Sequence, residues 1–374
     1  MSGKRIIFAV FDELHREYRG YKTALTFKKA GYSVKVIGIR YNIDKLSGWE
    51  DIPHRRISIN KKVPLILNML VFWLRLLHKL LKEKCDIIYS HDIFPLLPVY
   101  IVSKLKKVPY IYDAHEFWHG NSQVENRPAA KKFWTSYERF FIKRAKSVIT
   151  VSAPIAEELE NIYGLKNVRV VTNLPIEKEI PQNRTMIHDL LGLEKDTKIV
   201  MYQGSFLINN GLDDIIRTFA GVEKKAVLVL AGSGSEKDSL VRLTEETGLS
   251  DRVFFIGPFS HGELIRYTVC ADIGLCLIRN SGKSYYYSAP NKMFEFIQAG
   301  VPQIASDFPE MKKYVAGMNT GINIDPSDKD KITKSINILL NDPALYITLR
   351  NSCLKSGPEL VWENIENILT ESVL

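Results

Sequence analysis

Short apolar runs rich in β-branched residues alternate with helical patterns along the whole chain, and this alternation limits the fold more than any other feature. In the first half, strands are expected near Arg5–Val10, Val34–Ile39, Asp86–Ser90, Tyr110–Asp113, Ser147–Val151 and Val168–Val171. In the second half they are expected near Lys198–Tyr202, Ala226–Leu230, Val253–Ile256, Ile273–Ile278, Pro302–Ala305 and Gly321–Ile324. Helical stretches separate nearly all of them, which means parallel sheets covered on both faces by crossover helices. A chain of 374 residues exceeds one ordinary core, so two doubly wound α/β domains are expected. The boundary falls at Pro175 to Asp196, with two prolines and dense charge. That divides the chain into a first domain over 1–175, a linker over 176–196 and a second domain over 197–355. The last stretch, 356–374, opens on the Gly357-Pro358 break and contains Trp362. It is expected as a helix packing on either domain, a return to the first among the options. Ligands of such sheets bind beyond the carboxyl ends of the strands.

Charge separates the two halves. Residues 1–175 hold 30 Lys and Arg against 16 Asp and Glu, a balance of +14, whereas residues 176–374 carry −5. A basic front half suggests an anionic surface as its partner, with nucleic acid and membrane headgroups both candidates. It shows no aromatic-interleaved recognition motif, so only unspecific charge supports nucleic acid. Residues Val63–Leu81 form a very apolar helical stretch flanked by Lys61, Lys62 and Lys82 and interrupted by Arg75, His78 and Lys79. It is too interrupted to span a bilayer. Packing on the sheet and partial insertion at a membrane surface, aided by Trp73, are its two readings. The four cysteines have no CxxC spacing and read as free buried thiols, not a disulfide or metal framework. The apolar core Ile6–Val10 is too short for a signal peptide.

Chemistry is concentrated after the strands. Gly204-Ser205, Gly232-Ser233-Gly234 and Gly257-Pro258 each follow a strand of the second half directly. Each alone is ordinary turn chemistry, but together they suit a phosphate-bearing ligand. None reads GxxxxGKS/T and none completes GxGxxG, which argues against a P-loop nucleotidase or a dinucleotide dehydrogenase. The stretch Ser288 to Pro302 adds a helix opening at Pro290, with Ser288 or Ala289 at its cap and Gly300 just past its end. A helix start favours an anion. On that helix Lys292 and Glu295 lie opposite an apolar arc of Met293, Phe294, Phe296 and Ile297. The pair reads either as a solvated Lys–Glu contact or as a phosphate ligand and a sugar-hydroxyl ligand.

In the first half, Tyr112-Asp113-Ala114-His115-Glu116 follows a strand and sets a histidine between carboxylates, and Ser90-His91-Asp92 repeats the arrangement. Tyr18-Arg19-Gly20-Tyr21 opens the first helix, where Arg19 is a candidate for an anionic group.

Taken in order, these pieces resemble the retaining glycosyltransferases of family 4. The resemblance rests on Gly31 to Ile37, Ser147 to Ser152, Asn173-Leu174-Pro175, Tyr202-Gln203-Gly204 with Gly211-Leu212-Asp213-Asp214, and Leu230 to Gly234. It continues through Phe255-Ile256-Gly257, Ala271-Asp272-Ile273, Pro290-Asn291-Lys292, Glu295 and Ala299-Gly300-Val301-Pro302. What it implies is a GT-B fold, two Rossmann-like domains facing a central cleft. It also implies transfer of a sugar from a nucleotide-sugar, with retention and no metal or other cofactor. By the same resemblance, His115 and Lys292 are the catalytic residues. The donor is held by Gly204, Ser205, Gly232, Ser233, Gly257, Ser288, Asn291, Lys292 and Glu295, with Arg19 and Gly20 on the acceptor side. Bacterial members act in polysaccharide and glycolipid synthesis. With the basic first domain, this gives a lipid-linked or glycan acceptor, an anionic membrane surface as partner, no nucleic acid, and a cytoplasmic enzyme at the inner membrane face.

Two positions depart from the family. Tyr287 stands where a second Glu often precedes the first by eight residues, and Ser205 and Asn210 stand where an Arg/Lys pair clamps the diphosphate. Lys292, Arg279 and Lys283 are the cations left for that role. A GT-B epimerase acting on the nucleotide-sugar itself is the alternative enzyme, and the missing clamp leaves a non-catalytic nucleotide-sugar or glycan binder as the alternative of another class.

Overall fold

The structure is a computed structural model that describes residues 3–41, 48–60 and 62–373. The expected basic flank at Lys61 lies outside the described residues. Two compact units emerge, one of Met1–Asn173 with Trp362–Leu374, the other of Leu174–Val361.

The first unit is a seven-stranded sheet of β1 (Arg5–Glu13), β2 (Ser33–Arg40), β3 (His54–Ser58), β4 (Ile87–His91), β5 (Tyr110–Ala114), β6 (Ser147–Thr150) and β7 (Arg169–Val170). Its order is β3-β2-β1-β4-β5-β6-β7, parallel throughout. The chain leaves β1 toward one edge and returns beside it as β4, so the strand order reverses at that pair, where a doubly wound sheet opens its crevice. The second unit is six-stranded: β8 (Lys198–Ser205), β9 (Ala226–Ser233), β10 (Val253–Ile256), β11 (Ile273–Cys276), β12 (Gln303–Ser306) and β13 (Gly321–Ile324). Its order, β10-β9-β8-β11-β12-β13, reverses at β8 and β11 and is likewise parallel.

Neighbouring residues of the second sheet feed two cores. Val200, Tyr202, Leu228 and Leu230 pack on one face, and Ile199, Met201, Val227 and Val229 on the other. Successive strand side chains point to opposite faces. A run apolar at every position therefore needs helices on both sides, and this one has them.

Strand β3 was not expected. Its sequence is His-Arg-Arg-Ile-Ser, only Ile57 is buried, and it lies at the sheet edge beside β2. Pairing with β2, not its own apolarity, makes it a strand. The Leu65–Lys82 helix divides its apolar residues between two surroundings. Met69, Phe72, Leu76 and Leu80 are buried, whereas Leu65, Ile66, Leu67, Leu70, Val71, Leu74 and Leu81 are exposed. No helix among the described residues is long and apolar enough to cross a membrane. Trp73 is not free to enter a lipid surface: its indole N–H donates to Phe94 O at 2.7 Å and its ring stacks on Tyr137.

The C-terminal residues complete the first unit. Trp362 is buried and its Nε1 donates to Thr26 Oγ1 at 2.9 Å. Thr26 donates in turn to Glu366 Oε2.

Candidate functional site

In the second unit, four elements adjacent in the sheet end together. Gly204-Ser205 closes β8, Gly232-Ser233 closes β9, Gly257 follows β10, and the Asn291–Gln298 helix follows β11. Gly232 shows why that residue type is needed: a Cβ there would stand 1.9 Å from Gly204 O. The two strand ends touch backbone to backbone, at the carboxyl edge of the sheet where ligands of such folds bind.

Pro290 sits at the cap of the helix, with φ −70° and ψ 141°, so helical residues begin at Asn291, one later than expected. Ser288 does not cap it, since its hydroxyl donates to Tyr285 O at 2.7 Å. Nor is Glu295 on a solvated face. It is buried, and its Oε2 accepts from Gln203 Nε2 at 2.6 Å, while Gln203 Oε1 accepts from Thr268 Oγ1 at 2.8 Å. This chain from helix to strand to helix holds one carboxylate oxygen and leaves the carboxylate's remaining acceptor capacity for a ligand. The weak solvated Lys–Glu pair is therefore excluded. Burial pushes the Lys178 ammonium below its usual range, against the charge of Glu295.

Lys292 Nζ lies over the Tyr202 ring, 3.9 Å from its centroid, and next to Gly204. This places a cation beside the glycine turn, held by the ring's negative face. Arg279 does not share that task. Its Nη2 bonds Asp213 Oδ2 at 2.8 Å and also Asp214, and its Nη1 donates to Ile208 O at 3.1 Å. Lys329 pairs with Asp214 as well. Asn210, in the place of the family's Lys, donates to Ser205 O at 2.7 Å and so shapes the turn without adding charge.

In the first unit the ends of β1, β4 and β5 collect ionisable groups at the switch point. His91 closes β4, and its Nε2 is 3.0 Å from Glu17 Oε1. His115 follows β5, its ring 4.2 Å from that of His91 and its Nε2 3.3 Å from Asp92 Oδ2. Burial and the adjacent His91 push the His115 imidazolium down to about 3, so His115 is neutral at physiological pH. Burial opposes charge on His91 too, but Glu17 prevails and raises it. Burial also resists ionisation of Glu17, yet the two histidines and the Gly20 N–H hold its carboxyl far below the usual range. Asp92 is raised well above its ordinary value, first by burial and then by Glu116.

The structure corrects the expectation for Arg19. Its guanidinium is buried, grips Asp113 through Nε and Nη2 at 3.1 Å each, and donates from Nη1 to Val171 O at 2.8 Å. Those bonds engage its fork inside the unit, so it is not presented to an acceptor. Gly20 likewise serves the interior: a Cβ there would stand 2.8 Å from Glu17 Cγ, and its N–H donates to Glu17 Oε1 at 3.0 Å. Gln203, Thr268, Glu17 and Lys178 were missed. Glu17 caps the Tyr18–Lys29 helix, but polar residues at strand and helix ends and in a linker are indistinguishable from turn and cap chemistry until partners are known.

Two parallel-sheet, Rossmann-like units of this topology define the GT-B fold. The structure superposes on sucrose-phosphate synthase from Thermosynechococcus elongatus with a TM-score of 0.81, at 19% identity over 98% of both chains. Anabaena HepE in complex with UDP-glucose gives 0.77 at 16% identity over 99% of both. Residues 21–174 match the model of Glycosyltransferase Family 4, and residues 183–359 match Glycosyl transferases group 1. An uncharacterized glycosyltransferase of Methanocaldococcus jannaschii is 24% identical over 357 residues, 90% of this chain and 87% of its own length. The chain belongs to the glycosyltransferases of the family 4/group 1 type and is a transferase.

Proposed function

We propose that this enzyme transfers a sugar, with retention of anomeric configuration, from a nucleotide-sugar to a lipid-linked or polysaccharide acceptor. The observation that carries the donor half is Glu295, a buried carboxylate oriented by Gln203 at the helix that also bears Lys292. In this reading Glu295 accepts two ribose hydroxyl protons. The glycine turns and the helix start receive the diphosphate, and Lys292 offsets the negative charge that grows on the leaving group. We assign Gly204, Ser205, Gly232, Ser233, Gly257, Ser288 and Asn291 to the nucleotide-sugar and His115 to the transferred sugar. A neutral imidazole there exchanges hydrogen bonds with hydroxyls without adding charge. No step calls for a metal. HepE, of the same fold, was captured with UDP-glucose, which supports a donor of this class.

The exposed apolar face of the Leu65–Lys82 helix, with Phe133 and Phe140 exposed on the Pro128–Ile142 helix, supports placing the enzyme at an anionic cytoplasmic membrane face. The net charge of +14 on residues 1–175 matches such a surface. Capture of Arg279 by Asp213 and Asp214 favours a second reading, a nucleotide-sugar binder without turnover.

Thermal stabilisation by UDP, GDP, CMP and their sugar conjugates tests the donor site, on wild type and on Glu295→Ala. A ligand at a hundredfold excess over Kd adds about 2.7 kcal/mol to the folded state. One nucleotide is expected to stabilise the wild type and not the variant. Absence of any shift removes the donor reading. A shift without nucleotide release from the sugar conjugate, acceptors included, selects the binder.

A further inference from the structure

We propose that Glu17, His91 and His115 form a binding site for a divalent transition-metal ion such as Zn²⁺. One donor atom from each of the three residues lies within 4.8 Å of the other two. Two imidazoles and a carboxylate suit zinc and its neighbours and not the oxygen-seeking Mg²⁺ or Ca²⁺. Tetrahedral ligands about 2.0–2.1 Å from zinc stand about 3.3 Å from each other. Glu17 Oε1 and His91 Nε2, 3.0 Å apart, already approach one edge of that figure.

Three further observations point to a ligand. His91 is 1% exposed, yet neither of its ring nitrogens makes a hydrogen bond of proper geometry, and His115 Nδ1 is buried and unpartnered as well. Buried polar atoms are rarely left so in a finished site. Each imidazole also has a carboxylate beside its outer nitrogen, Asp92 Oδ2 at 3.3 Å from His115 Nε2 and Asp113 Oδ2 at 3.8 Å from His91 Nδ1. A carboxylate behind the imidazole is the usual outer partner of a metal-bound histidine and sets which nitrogen faces the ion. It leaves His91 Nε2, His115 Nδ1 and Glu17 Oε1 as the inner set. Finally, the Gly20 N–H holds the Glu17 carboxylate in place, which lowers the cost of ordering that ligand.

The site shares His115 with the proposed sugar contact, and the proposed sugar transfer has no step through the ion. A bound ion occupies His115, so on the reading that His115 contacts the sugar, the ion inhibits reversibly.

The test uses the full chain, stripped with chelator and titrated with Zn²⁺ alone by calorimetry, as wild type, Glu17→Gln, His91→Gln and His115→Gln. His115 is the least buried of the three, with 19% of its side chain exposed, so its variant keeps the test open where His91→Gln fails to fold. The expected result is one ion per wild-type chain and at least tenfold weaker binding in every folded variant. No saturable binding overturns the proposal, and so does unchanged affinity in the variants, which places the ion elsewhere. Zn²⁺ that binds as expected without slowing sugar transfer counts against the role of His115 and leaves the metal site standing.

Discussion

Replacing Arg19 with alanine separates a structural role from an acceptor-binding one. The Arg19 side chain is 2% exposed and that of Asp113 0%, and the two share a forked pair with both bonds at 3.1 Å. Tyr89 adds a 2.8 Å bond to the same carboxylate. Removing the guanidinium leaves Asp113 charged, dry and short of its main partner. Breaking such a buried pair costs about 3–5 kcal/mol. For a unit of this size each kcal/mol lowers Tm by about 2–4 °C, so the expected fall is about 6–20 °C. The assay is selective, because Trp49, Trp73, Trp118, Trp134 and Trp362 all belong to the first unit. Tryptophan fluorescence during melting therefore follows that unit alone. The paired change Arg19→Met with Asp113→Leu is expected to recover part of the loss, since apolar residues of similar volume often replace a buried ion pair at little cost. A loss below about 1 kcal/mol for Arg19→Ala, or a paired variant worse than the single one, refutes the argument.

Two more predictions address the first unit. His115 binds its proton in the folded state only near pH 3, against an ordinary value of 6.5. As pH falls below 6.5 the unfolded chain takes up a proton that the folded one refuses, so stability falls. Folded His115→Gln lacks this loss. Its stability relative to wild type is expected to improve by about 2 kcal/mol between pH 7 and pH 5, read from denaturant melts; parallel acid limbs would rule this out. The exposed face of the Leu65–Lys82 helix is expected to bind anionic vesicles at low salt. Ile66→Ser with Leu74→Ser should weaken flotation severalfold without lowering Tm, since both side chains are about 70% exposed. Equal flotation of variant and wild type excludes that face.

The parts of this protein legible in the sequence are those written in contiguous residues. Strand–helix alternation, glycine after β8, β9 and β10, and Gly300 past the helix end are local signals, because backbone preference and side-chain period act over a few residues. Gly300 does adopt a left-handed φ of 68°. What the tertiary structure decided are the pairings across long separations. Gln203 meets Glu295 across 92 positions, Arg279 meets Asp213 across 66, and Arg19 meets Asp113 across 94. In sequence, Glu295, Arg279 and Arg19 each read as well as a ligand as a structural group. The choice rests on which partner the sheet order brings to the same edge, and on whether water is excluded there. Glu295 and Lys292 stand at the glycine turns, whereas Arg19 and Arg279, both plausible anion ligands by type, are already held by carboxylates of their own units.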